Sequence, residues 1–464
     1  METTTVKEQA LEEEEKLSFR TKFFYGIGDL GNAIINSAIQ FFLMIFYTDA
    51  ALVPPALAGN ALLLGKFWDA VNDPLFGWMA DRTNSKIGRR RVFMFFGAIP
   101  LGISIALLWF VPSGVSRTAT FLWIALTFIL FDTLWTLTNV PYYALTSELT
   151  DDYDERNALT TFRMVMAVPA YLVGVALTPL IVGFFTIERS GWGFIGILYG
   201  TICAVVLIIS AAGIRERKKI QETRAKINVW KSIKATFSNR PFLLLCAAYL
   251  VINLSFALIK TLMAYFLEYQ LEMAAEVPLV MGLMLIFVTI SLPIWRKFSE
   301  KMDKGPTYAI GMAIGALAVG GSFFLPHEKT IWIYPLAILA GIGFGAQWIF
   351  PWSMVADVVD YDRVNTGEFR SGMYYGVWGL ATKISEALAI SGVGWILTGF
   401  GYQPNIDQTT RSLFGIRLFF GPVPALVIFI TLPLLIWYPI TRKKHLKIRE
   451  ELEKNSTGNF GEDV

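Results

Sequence analysis

The chain has 464 residues, of which 54% are hydrophobic, 14% aromatic and 17% charged, with a formal net charge of +3. Soluble domains carry about 25% charged residues, so an ordinary water-soluble domain is excluded. The basic residues are scattered among short loops, which argues against a nucleic-acid partner, and His327 and His445 both lie outside apolar segments, which argues against a histidine metal site.

The opening stretch METTTVKEQALEEEEKLSFR is polar and acidic, unlike a secretory signal. Apolar segments follow near 20–48, 56–80, 91–112, 119–147, 157–186 and 192–213. A second set lies near 240–269, 277–297, 306–325, 331–356, 371–400 and 412–440. Each is long enough to cross a hydrocarbon core of about 30 Å. The fold class expected is therefore an all-α integral membrane protein of about twelve transmembrane helices, arranged as two pseudo-symmetric six-helix bundles. The division is a tail over 1–19, a bundle over 20–213, a linker over 214–239, a bundle over 240–441 and a tail over 442–464. Cys203 and Cys246 fall inside apolar segments and read as small hydrophobes.

Lys and Arg concentrate in alternate connections: DRTNSKIGRRR (81–91), the basic linker, RKFSEKMDKG (296–305) and the tail TRKKHLKIRE. The positive-inside bias places both termini and the linker in the cytoplasm of a multi-pass protein of the plasma or inner membrane. Asn455, in NSTG, falls on that cytoplasmic tail and is not expected to be glycosylated.

The halves echo each other. VPYYALTSELTDDYDERNALTTFR (140–163) parallels FPWSMVADVVDYDRVNTGEFR (350–370), matching Pro141 with Pro351, Asp152-Tyr153-Asp154 with Asp360-Tyr361-Asp362, and Arg163 with Arg370. Parallel six-helix repeats build the transporters of the major facilitator fold, with substrate sites near the bilayer midplane.

Ionisable groups inside spans cost roughly 2.5–3.5 kcal/mol each on the translocon scale. Asp49, Asp81 and Glu268 are near helix ends and are expected to reach the interface. Helix 2 is different: KFWDAVNDP places Lys66, Asp69 and Asp73 on one face, with Asn72 at its edge. Paired carboxylates repel, and burial disfavours their ionised forms; a bound cation or a lysine relieves both. Oxygen ligands of this kind suit a hard cation such as Na⁺, while a salt-bridge cluster that ties helices together is the structural alternative. Lys383, in the eleventh span, is the expected countercharge unless it pairs with Glu386 on its own helix.

In the fourth span, Asp132, Trp135, Thr136, Asn139 and Tyr143 form a polar and aromatic stripe, suited to a ligand with hydroxyls and an apolar face or simply to packing. Arg163, some six residues into the fifth span, either binds an anionic or hydroxyl-rich group or bonds helix-end carbonyls. Lys260 has no evident local partner and is a gate or pathway candidate. Asp81, Arg89 and Arg90, with Asp152, Asp154, Asp360 and Asp362, read as an inner gate of breakable ion pairs, to which Lys66 is added as a coupling residue.

WDAVNDP followed by GWMADRTNSKIGRRR resembles the glycoside–pentoside–hexuronide:cation symporter family, the melibiose carrier group of the major facilitator superfamily. NVPYYALTSEL, ERNALTTFR and FRSGMYYGVWGLATK resemble the family's other blocks, and the likeness runs from FFYGIGDLGNAI to the last span. The resemblance implies a cation site at Asp69, Asn72, Asp73 and Thr136, a helix 11 lysine at Lys383 and a helix 5 arginine at Arg163. Where galactoside carriers have a Lys-Asp pair this chain has Asn32-Ala33; Asn139 replaces their aspartate and Tyr143 their tryptophan. The substrate-binding set is then Asn32, Asp132, Trp135, Asn139, Tyr143, Arg163 and Lys383.

The expectation is a symporter coupled to Na⁺ or H⁺ that moves a sugar or glycoside-like solute by alternating access, as a monomer with no further cofactor. Two carboxylates and one lysine leave −1, which one monovalent cation cancels. A cation-dependent carrier of lysophospholipids or other amphiphiles is the alternative, since vertebrate lysophospholipid transporters share the helix 2 block. A non-transporting sensor ranks lower, and no nucleophile–base or metal constellation suggests an enzyme.

Overall fold

A computed structural model of the chain describes residues 17–83, 85–150, 153–216, 234, 236–366, 368 and 370–458. It divides into two units, Met1–Thr223 and Arg224–Val464.

In the first unit, Ser18 caps α1 (Phe19–Ile45) by accepting from the Thr21 N–H at 3.2 Å, satisfying a donor that the first turn leaves open. A π-turn, Phe46–Ala50, prolongs the helix. Asp49 in this turn is buried inside the protein and accepts from Thr48 Oγ1 at 2.5 Å. The proline at the start of α2 (Pro55–Arg82) costs nothing, because first-turn N–H groups have no intrahelical acceptor. Then come α3 (Arg91–Leu108), α4 (Arg117–Leu149), α5 (Tyr153–Gly183) and α6 (Glu188–Gly213). Ser116 caps α4 through the Ala119 N–H.

The second unit repeats the plan with α7 (Arg240–Tyr265) and its π-turn Phe266–Gln270, α8 (Val277–Ser299), α9 (Lys304–Gly321), α10 (Ile333–Thr366) and α11 (Ser371–Gly399). The last predicted span is broken into α12 (Thr410–Phe420) and α13 (Pro422–Ile436). Pro422 has no N–H to continue the ladder, and Gly421 takes the bent backbone before it. A final amphipathic helix, α14 (Arg442–Gly458), follows.

Among the described residues, eleven segments are long and apolar enough to cross a membrane. The twelfth long helix is α2, which carries Lys66, Asp69, Asn72 and Asp73 in its middle and is correspondingly less apolar. In unit one the principal packed pairs are α1–α5, α3–α6, α2–α4, α1–α6 and α3–α4. In unit two they are α7–α11, α9–α13, α8–α10, α7–α13 and α9–α10. The second list is the first with each helix replaced by its repeat, so the echo seen in the sequence is an echo in packing. Close approach relies on small residues: a Cβ on Gly102 of α3 would lie 2.6 Å from the carbonyl oxygen of Gly200 on α6.

Candidate functional site

The polar residues of α2 meet those of α4 inside the first unit. Lys66 Nζ lies 3.8 Å from Asp69 Oδ2, one turn along the same helix, and 5.7 Å from the centroid of the Phe128 ring. Asn72 Nδ2 donates to Asp132 Oδ2 at 3.1 Å, and Thr136 Oγ1 donates to Asp73 Oδ1 at 3.1 Å. Asp132 and Thr136 are one turn apart on α4, so these two bonds form parallel rungs between the helices. Trp68 Nε1 adds a third contact, to Thr133 Oγ1 at 2.8 Å.

Asp69, Asn72, Asp132 and Thr136 are buried and Asp73 is partly so. Asn72 is 0% exposed, and its Oδ1 has no hydrogen-bond partner among the described residues. A buried acceptor left unpaired costs about 1–3 kcal/mol, so this oxygen favours any hydrogen-bond donor or cation that reaches it. Among the described residues, no three His, Cys, Asp or Glu side chains form a metal-holding group. The cluster is therefore a mixed set of carboxylate, amide and hydroxyl oxygens.

One layer away, α1 faces α4 and α5. Asn32 Nδ2 donates to Asn139 Oδ1, Asn139 Nδ2 reaches the Trp135 carbonyl at 3.1 Å, and Asn32 Oδ1 is buried without a partner among the described residues. Trp135 itself packs against Phe131, with ring centroids 5.5 Å apart. Arg163 Nε lies 3.1 Å from Asp29 Oδ2, and its guanidinium stands 4.5 Å from the centroid of the Tyr143 ring. Tyr143 donates to Asp29 Oδ1 at 3.4 Å. Sequence reasoning missed Asp29, although a carboxylate inside GIGDLGNAI is a detectable signal. Arg163 is also not near the start of its helix, because α5 begins at Tyr153 and the guanidinium is bonded to a carboxylate rather than to helix-end carbonyls.

In the second unit Lys383 is half-buried on α11. Glu386, one turn further on, acts electrostatically on the buried Lys260 of α7, which also stands over the Phe256 ring at 4.9 Å. Lys260 thus has a carboxylate neighbour that the sequence did not reveal.

The helix ends carry ion pairs that include partners not anticipated from the sequence. Arg89 Nη2 and Arg90 Nε both reach Glu148 Oε1, at 2.5 and 2.8 Å. Glu148 is on the last turn of α4, where it meets the start of α3. The side chains of Asp81 and Asp154, and all of Asp152, lie outside the described residues. Glu216 was not anticipated either: its carboxylate accepts the backbone N–H groups of Arg89, Arg90 and Arg91 at 2.6, 2.9 and 2.7 Å. Gly88 makes room for it, with φ +128° and a Cβ position only 2.7 Å from Glu216 Oε1.

The matching place in unit two holds Lys304 against Asp357 at 2.6 Å. Asp360 lies 3.5 Å from His445 of α14, and Asp362 lies 3.5 Å from Arg370. Arg370 immediately precedes α11 whereas Arg163 is well inside α5, so these two arginines are not structural equivalents. Glu148 and Asp357 are the better pair, seven and six residues beyond Pro141 and Pro351.

Two repeats of six long helices with a polar cluster between buried helices define the class: a multi-pass helical membrane carrier. The chain matches the family model described as MFS/sugar transport protein over residues 24–442 and belongs to that family of the major facilitator superfamily, as the helix 2 block implied. It is 29% identical to an uncharacterized symporter of Synechocystis, covering 96% of this chain and 98% of the relative. It is 26% identical to the sodium-dependent lysophosphatidylcholine symporter 1 of Xenopus tropicalis, covering 97% and 92%. A solved proton dependent oligopeptide transporter superposes with a TM-score of 0.64 at 13% identity, over 90% of this chain and 99% of that one, a likeness of fold.

Proposed function

We propose that the protein is a cation-coupled symporter in which Asp69, Asn72, Asp73 and Thr136 take Na⁺ or H⁺ while the α1–α4–α5 face takes a hydroxyl-rich, sugar-like solute. The observation that carries this is a pair of buried amide oxygens without hydrogen-bond partners among the described residues, Asn72 Oδ1 beside the carboxylates of α2 and Asn32 Oδ1 beside Asn139. The first suits a cation; the second suits a donated hydroxyl. Asp29 and Arg163 neutralise each other, which favours an uncharged ligand over an anion. Cation and solute assist each other equally by linkage. The basic loops support cytoplasmic termini.

The similarity to the lysophosphatidylcholine symporter favours a second reading, an amphiphile whose zwitterionic headgroup exchanges with the Arg163–Asp29 pair. The two readings separate in one experiment: thermal stabilisation of the purified protein by a panel of sugars and of lysolipids, each with and without Na⁺, followed by uptake of the hit in proteoliposomes. Sugar hits that grow with Na⁺ or acid pH support the first reading, and lysolipid hits support the second. Stabilisation by ligand with no uptake would defeat both in favour of a sensor.

A further inference from the structure

We infer that Asp132 is a positioning residue of the cation site, acting through Asn72; the inference rests on the proposal that α2 and α4 form that site. An ionised carboxylate only accepts hydrogen bonds. The 3.1 Å contact between Asn72 and Asp132 therefore has to come from the amide nitrogen. The amide is planar, with nitrogen and oxygen on opposite sides of its carbon, so pinning the nitrogen aims the oxygen the other way. That oxygen sits at a position with no solvent exposure and no donor among the described residues.

Without the anchor, the amide is free to turn. It would then present two N–H hydrogens, which repel a cation, where it now presents a lone pair that attracts one. Asp132 is itself only 3% exposed, and its helix also carries Thr136, whose hydroxyl holds Asp73. The two rungs together fix which atoms of Asn72 and Asp73 point at the cation. Asp132 thus leaves the substrate-binding stripe assigned from sequence and joins the coupling machinery.

The test uses full-length protein in detergent, in choline chloride, with melting temperature followed during titration by NaCl, by LiCl and by pH. Asp132→Ala removes the acceptor and is expected to raise the half-saturating cation concentration by about tenfold or more. Asp132→Asn keeps an amide oxygen that accepts from Asn72 and is expected to stay within about threefold of the parent protein. Asn72→Ala is expected to match Asp132→Ala, and combining them to add less than about twofold. If Asp132→Ala does not purify folded, Asp132→Leu, with the same branching as Asp and without an acceptor, takes its place.

The inference is overturned if Asp132→Asn is as weak as Asp132→Ala, since charge alone would then explain the loss. Additive losses in the double variant, or an unchanged Asp132→Ala, overturn it equally. If the parent protein responds to neither cation nor to pH, the coupling proposal itself fails, an outcome distinct from a responsive parent with an indifferent Asp132 variant.

Discussion

Arg163 of α5 and Asp29 of α1 form an ion pair at 3.1 Å inside the first unit, roofed on the arginine side by the Tyr143 ring at 4.5 Å. The pair joins two helices that also pack extensively along their length, and Asp29 is held a second time by the Tyr143 hydroxyl. Replacing one partner leaves an uncompensated buried charge, which costs about 3–5 kcal/mol. Asp29→Asn is therefore expected to lower the melting temperature markedly and to abolish uptake. Asp29→Asn combined with Arg163→Gln is expected to regain much of the stability while uptake stays lost. A thermal-denaturation cycle over the four proteins checks this, and additive destabilisation would contradict the pairing.

The α2 carboxylates carry the coupling prediction. Asp69→Asn and Asp73→Asn are each expected to remove the Na⁺ or pH dependence of uptake, while fold is retained because each amide remains polar and near-isosteric. Asp69 lies beside Lys66 at 3.8 Å, whereas Asp73 accepts from Thr136. Neutralising Asp69 therefore removes a carboxylate from beside the Lys66 ammonium, and is expected to be the more destabilising of the two. Uptake at varied Na⁺ and pH, with melting curves, reads both effects. Unchanged cation dependence in both variants would remove the coupling proposal.

The number of long segments and the internal repeat were legible in the sequence, because twelve apolar segments separated by charged loops leave few alternatives, but α10 runs on to Thr366 where its apolar segment ends near 356. Most of the α2–α4 cluster was legible too, since Asp69, Asn72, Asp73 and Thr136 are polar groups at positions where burial is expensive. Two kinds of feature were not. Partners far apart in sequence, such as Asp29 with Arg163 and Glu148 with Arg90, depend on which helices pack, and this is fixed only when the bundle forms. Within ELTDDYDER there are five acidic side chains near the arginines of the preceding loop, and the geometry of the last turn of α4 is what brings Glu148 to Arg89 and Arg90. The break in the last span was readable and missed: a Gly-Pro step at Gly421-Pro422 interrupts a helix wherever it falls.

Glu148 provides a third prediction. It answers two guanidinium groups, and Arg90 among them is buried. Glu148→Gln keeps the shape but removes the charge, and is expected to destabilise the protein by more than Lys304→Met does in the second unit, where the cation is a third exposed. Ion pairs lose strength as solvent reaches them, exposed ones contributing about 0–1 kcal/mol, so the contrast follows from the burial of Arg90 against the partial exposure of Lys304. If the ends of these helices gate the pathway, Glu148→Gln also alters the labelling rate of a cysteine placed at Arg89 with and without substrate. Equal melting temperatures for the two variants would refute the burial argument.

The last prediction concerns Glu216, which follows α6 and closes the N-terminus of α3. The first N–H groups of a helix have no intrahelical acceptor, and the helix dipole favours negative charge there. One carboxylate here takes the N–H of Arg91, the first residue of α3, and those of Arg90 and Arg89 just before it, at 2.6–2.9 Å. Losing a helix cap costs about 0.5–2 kcal/mol, and a carboxylate that accepts three bonds belongs at the upper end. Glu216→Ala is therefore expected to lower stability by about 2 kcal/mol. Glu216→Gln, which keeps one acceptor oxygen but loses the charge, is expected to fall between. Gly88→Ala is expected to harm the same contact from the other side, since its methyl group would meet the carboxylate and its φ of +128° is strained for any residue with a Cβ. Because both changes damage one contact, Gly88→Ala in the Glu216→Ala background costs less than Gly88→Ala alone, and only its backbone strain remains. Equal costs in the two backgrounds, measured by thermal unfolding, would show that Gly88 does not act through the carboxylate.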